Sequence, residues 1–115
     1  MTDWLTRQLE TCAQHGASFA PSSNEDKAGV AANTELRPLN GLRHTPQAGT
    51  CGWFIWGGTT LSSSPDFFKP VHVSHLEQLC PEVLPFLGMA PGWRFLIDGQ
   101  HTDVWFDDQL LATDS

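Results

Sequence analysis

Residues 49–58 read Gly-Thr-Cys-Gly-Trp-Phe-Ile-Trp-Gly-Gly, an uncharged run that sets two indoles, a phenyl ring and an isoleucine between glycines. An apolar run this short, bounded by turn formers, fits a β-strand of about 51–57, and neighbouring side chains on a strand must point to opposite sides. Trp53 and Ile55 therefore share one face, while Phe54 and Trp56 share the other. One ring set is expected to meet a core, the other a loop or solvent. Period-two patterning returns near the C-terminus. In Gly92–Asp98, Trp93, Phe95 and Ile97 oppose Arg94, Leu96 and Asp98; in Asp103–Asp107, Val104 and Phe106 oppose Asp103, Trp105 and Asp107. The intervening Asp98–Thr102 is of hairpin length, so these two strands are expected to pair antiparallel.

The flanking segments read as helices or connections. Thr2–Gly16 has the pattern of a helix, with Thr2 or Asp3 as cap, Leu5, Leu9 and Cys12 as an apolar stripe widened by Trp4 and Ala13, and Gly16 as the stop. Residues 28–33 read as a short strand. Glu35–Gly49 contains Pro38, Asn40-Gly41 and Pro46, a composition that predicts irregular chain and tight turns. Ser62–Pro70 reads as a loop whose adjacent Phe67 and Phe68 cannot both point inward, leaving a ring exposed. Val73–Gly88 reads as helix, capped by Ser74 with Glu77 three residues later and interrupted near Cys80 by Pro81. These elements assemble into an α+β fold, a small mostly antiparallel sheet with two helical regions packed on one side. At 115 residues the chain is expected to form a single domain, 1–115.

The formal net charge is −7 and is unevenly placed. Up to Pro65 five acidic residues face four basic ones; from Asp66 onward eight face two, Lys69 and Arg94. Such a field repels nucleic-acid phosphates and anionic lipid and favours a basic protein partner. Neither nucleic acid nor membrane is therefore an expected direct partner. No run approaches the length of an apolar membrane span. The first ten residues lack a long apolar core and carry Asp3 where a signal peptide would be basic. Cys12, Cys51 and Cys80 are odd in number and widely spaced, which suits a reducing compartment. A cytoplasmic location follows as the expectation.

Motifs for catalysis or cofactors are weak. His72 and His75 lie three apart, but the second pair that a zinc site needs is missing. Cys80 precedes a possible helical turn, and with His75 or His101 it sketches a cysteine nucleophile, against the commoner role of a small buried core residue. Gly57-Gly58 is followed by no lysine and makes no phosphate loop. Neither a catalytic residue, a metal nor a cofactor is expected.

Four segments, NGLRH, CGWFIWGG, PDFFKPVHVSHLEQLCPEVLPFLG and PGWRFLIDGQHTDVWFD, taken in this order, resemble the immunity protein 33 family of bacterial polymorphic-toxin systems. The resemblance runs from about Lys27 to Leu111, behind the N-terminal helix. It implies a small cytosolic antitoxin that binds and neutralises a cognate toxin, and it brings no catalytic residues. An acidic surface with aromatic anchors suits a basic toxin such as a nuclease. The candidate anchors are Trp56, Phe67, Phe68 and Trp105, and the candidate acids are Asp66, Asp103, Asp107 and Asp108. A rival reading is a small-ligand or carbohydrate-binding module that stacks its ligand on Trp56 and Trp105. Oligomeric state is open at this level.

Overall fold

The computed structural model describes residues 4–47, 49–62, 64 and 66–111. Helix α1 (Trp4–His15) is followed by β1 (Lys27–Ala31), β2 (Leu39–Arg43), β3 (Thr50–Gly57) and β4 (Phe68–His72). Next comes a broken helical segment, made of the 3-10 turn Val73–His75, α2 (Leu76–Leu79) and the 3-10 turn Pro81–Phe86, and then β5 (Trp93–Asp98), β6 (His101–Phe106) and a last 3-10 turn, Asp108–Leu111. The six strands form one sheet in the order β4-β1-β3-β2-β5-β6. All neighbours are antiparallel except β1 and β3. The α+β class is as the sequence indicates, and the break at Cys80 falls where Pro81 removes a backbone donor.

Register and alternation sort the side chains onto two faces. One face carries Val30, Leu39, Cys51, Trp53, Ile55, Phe95 and Ile97, which form the main core with Cys12 of α1 and Leu76, Val83, Leu84 and Leu87 of the broken helical segment. Trp53 is 1% exposed, and its indole N–H donates to Leu87 O at 3.1 Å, tying the sheet to the helical layer. Trp93 packs at the margin of this core, edge-on to Phe106 at 5.6 Å.

Four local expectations are corrected. Asn40-Gly41 is no turn: it lies inside β2, between β3 and β5. A Cβ on Gly41 would sit 2.2 Å from the Phe95 ring, so the glycine is there to let that ring cross the strand. Phe68 belongs to a strand, β4, where Pro70 is tolerated because β4 is an edge. In α1 the buried residues are Gln8 and Cys12, with Trp4 packed beside them, while Leu5 and Leu9 are about half exposed. Gln8 is held inward because its Nε2 donates to Leu84 O at 2.9 Å, a carbonyl that also accepts from the Leu87 N–H within the helical turn, so the bond ties α1 to that segment. Ser74 is not a cap: the segment starts after His72 with no side-chain cap bond, and the Ser74 N–H donates to Asn24 O. The proposed caps Thr2 and Asp3 lie outside the described residues.

Arg43, at the end of β2, is 3% exposed and, among the described residues, makes its hydrogen bonds to main-chain carbonyls and a serine and not to a carboxylate. Its guanidinium donates to Cys51 O (2.8 Å), Met89 O (2.7 Å), Ala20 O (2.5 Å) and Ser22 Oγ (3.3 Å), and lies 5.7 Å from the Trp53 ring centroid. Burial lowers its pKa below the ordinary guanidinium value, and nearby Cys51, Asp26 and Cys12 partly offset this. One side chain thus joins β2, β3, the chain after α1 and the connection into β5. Arg43→Met leaves those carbonyls without donors, at about 1–3 kcal/mol for each buried group. Urea denaturation should show a loss of about 3–5 kcal/mol, which Arg43→Lys does not restore because a single ammonium cannot reproduce the fork.

Candidate protein-binding face

The second face of the sheet carries Lys27, Gly29 and Ala31 of β1, Phe68 and Pro70 of β4, Phe54 and Trp56 of β3, Asn40 and Leu42 of β2, Arg94 and Leu96 of β5, and Asp103 and Trp105 of β6. Phe67 from the loop and Leu110 from the last 3-10 turn pack onto its apolar centre, and the His44 ring stands edge-on to Phe54 at 5.5 Å. The question of which face lies open is answered by this layering: the helices cover the Trp53 side and leave the Trp56 side without a helical layer.

The eight residues singled out in the sequence fall on this face or at its rim, in two groups. Around β4 and β3, Phe68 stands edge-on to Phe54 (5.1 Å), Trp56 (6.1 Å) and Phe67 (4.8 Å). The expected exposure of Phe67 or Phe68 is corrected: both are half-buried, because the loop folds Phe67 back against Phe68. Trp56 is likewise corrected from a surface platform to a buried support, 5% exposed beneath these rings. Asp66 is exposed beside them. At the opposite edge Trp105 is 38% exposed, with the Arg94 guanidinium 5.3 Å from its ring centroid. Asp103 is exposed and 3.0 Å from His101 Nε2. Asp107 accepts from Arg94 at 3.2 Å and, through Oδ1, from the Gln109 N–H at 3.1 Å, so it holds Arg94 in place and starts the last turn; Asp108 is exposed.

The two groups lie three strand intervals apart at β3 and five at β4, about 14 and 24 Å at the usual spacing. Sequence reasoning missed one central residue in each group. Phe54 forms the middle of the aromatic group, and Arg94 links Trp105 to Asp107. Alternation had placed both on this side, but nothing local says that their neighbours would be aromatic or acidic. A groove of about 230 Å³ runs between Phe54, Phe68 and Pro70, with Gly29 in its floor and Lys27 at one end. A Cβ on Gly29 would stand 2.6 Å from the Phe54 ring, so glycine is required beneath it. The face is polarised: aspartates gather at the β6 end, and Lys27 lies beside the groove.

Other candidate chemistry reads differently in three dimensions. Cys80 is 2% exposed, and its thiol is pushed up to about 11, by burial first and then by Glu82, with Arg37 partly offsetting. It holds its proton at neutral pH, the opposite of an activated thiolate. His72 and His75 stack edge to face at 5.7 Å, and no cluster of three or more potential metal-binding side chains occurs among the described residues. No helix among them is long and apolar enough to cross a membrane.

The sequence profile of the Imm33-like domain matches residues 7–107, taking in most of α1, the whole sheet and the broken helical segment. No curated protein and no solved structure shows significant similarity to the chain. A match over that much of a 115-residue chain identifies it as a member of the Imm33-like domain family.

Proposed function

We propose that the protein is a non-catalytic immunity protein that binds a cognate toxin in the bacterial cytoplasm and blocks its active site with the helix-free face of its sheet. The observation that carries this reading is the layering itself. In a chain of the Imm33-like family, one sheet face is covered by helices, while the other carries aromatic rings and an apolar groove towards β4 and aspartates with an exposed tryptophan at β6. Such a mixture of ring anchors and a charged rim is the composition of protein-binding surfaces.

The aspartates suit a toxin with a basic active-site cleft, as a nuclease has. Arg94 pairs with Asp107 of this group, which leaves the exposed Asp103 and Asp108 to carry its negative field within a net charge of −7. Polarisation also orients the partner: its basic cleft lies over the β6 end, and an apolar side chain fills the groove between β1 and β4. The mechanism is occlusion at one-to-one stoichiometry, without turnover. The carbohydrate-module reading is not carried forward, because Trp56 is buried and Arg94 stands by the ring of Trp105.

Copurification with the toxin domain from the source bacterium, followed by binding kinetics, tests this reading. Asp103→Lys with Asp108→Lys, two exposed positions, should slow association about tenfold at low salt and flatten its salt dependence. Trp105→Ala should act on dissociation, weakening the complex by about 2 kcal/mol or roughly 30-fold. Leu5→Ala on α1 should change neither rate. Charge reversals that leave association untouched would rule out the electrostatic part of the account.

A further inference from the structure

The two edges of the sheet are not alike. β4 has Lys69 and Pro70 in its middle, the residues that blunt an edge against further pairing. β6, His101–Phe106, contains neither, and its Trp105 and Phe106 are 38% and 48% exposed. Its backbone polarity can be read from the hairpin. Asp98 pairs with His101 across a two-residue turn, and the Asp107 N–H donates to Gly92 O at 2.7 Å, which extends the same ladder. Residues 101, 103, 105 and 107 therefore bond to β5, while Thr102, Val104 and Phe106 turn their N–H and C=O groups outward.

We propose that β6 pairs with β6 of a second copy of this chain, antiparallel about a twofold axis at Val104, to make a continuous twelve-stranded sheet. The register argues for this occupant. Centred on Val104, the outward backbone groups meet as Val104 with Val104 and Thr102 with Phe106. On the open face Asp103 then lies opposite Trp105, and His101 opposite Asp107. No aspartate opposes another in that register. A slip of two residues one way sets Asp103 against Asp103, and the other way sets Asp103 against Asp107, both of which oppose like charges. Shifts by a single residue fail to match the outward groups. The contact is isologous, so it closes at two copies. A single six-residue edge is a small interface, and both copies carry −7, so the dimer is weak, reversible and strengthened by salt. That salt response is opposite in sign to the one expected of a complex with a basic toxin. The dimer leaves the helix-free face uncovered and does not depend on what that face binds.

Sedimentation equilibrium of the protein alone, up to millimolar concentration and at low and high salt, gives the first readout. The expected result is a shift toward twice the 12.7 kDa monomer mass, larger at high salt. Amide hydrogen exchange under the same conditions should show Thr102, Val104 and Phe106 gaining protection as concentration rises, with Asp103 and Trp105 protected throughout. Thr102→Pro removes one outward donor and no bond to β5, so it should abolish the dimer while leaving the circular dichroism spectrum unchanged. Trp105→Asp, at an exposed position, sets an aspartate opposite Asp103 of the second copy and is the second variant should the proline disturb the hairpin. A protein monomeric at millimolar concentration overturns the proposal, as does a dimer in which the alternating amides stay unprotected or that survives both substitutions.

Discussion

The buried guanidinium of Arg43 is the contact on which the layering rests. A charge removed from water is costly unless every donor is used, and here the partners are main-chain carbonyls of three separate segments. Those segments are the middle of the sheet, the chain leaving α1 and the connection into β5. Holding them together closes the helical side over Trp53, so the helices sit on that side and the opposite face keeps its rings and aspartates. The position of the candidate binding face is thus a consequence of a packing decision on the other side of the sheet.

What the sequence made legible was what alternation and turn chemistry encode locally. Strand β3, the β5–β6 hairpin and the interruption at Pro81 follow from period-two runs, a loop of hairpin length, which the structure tightens to two residues, and a missing backbone donor. What it hid was non-local. Gly41 resembles a turn residue until Phe95 is placed over it, and Pro70 resembles a loop residue until β4 is known to be an edge. Gln8, and not Leu5 or Leu9, is buried on α1, where its side chain bonds a carbonyl 76 residues away that no local pattern reveals. Arg43 left no signal, since its partners are backbone atoms that no side-chain pattern reveals.

The candidate site shows the same division. Alternation paired Phe54 with Trp56, and Asp103 with Trp105, on one side of their own strands; the sheet register brings these pairs and Phe68 onto a common face. Whether a ring on that side meets solvent depends on what folds over it. Phe67, Phe68 and Leu110 pack in the cluster around Trp56, whereas no such cluster covers Trp105 among the described residues, so two tryptophans on one face play different parts. The result is a surface with a firm aromatic base at one end and an exposed ring among acids at the other. It is suited to holding a partner in one orientation.

The five tryptophans offer a direct test of the central claim, because they sample both sides of the molecule. In an indole N–H correlation spectrum recorded during titration with the toxin domain, the Trp105 signal should move most, with a smaller response from Trp56 beneath the aromatic group. Trp4, on the helical side, should stay in place. A large shift of Trp4 with Trp105 unmoved would put the toxin on the helices and contradict the account.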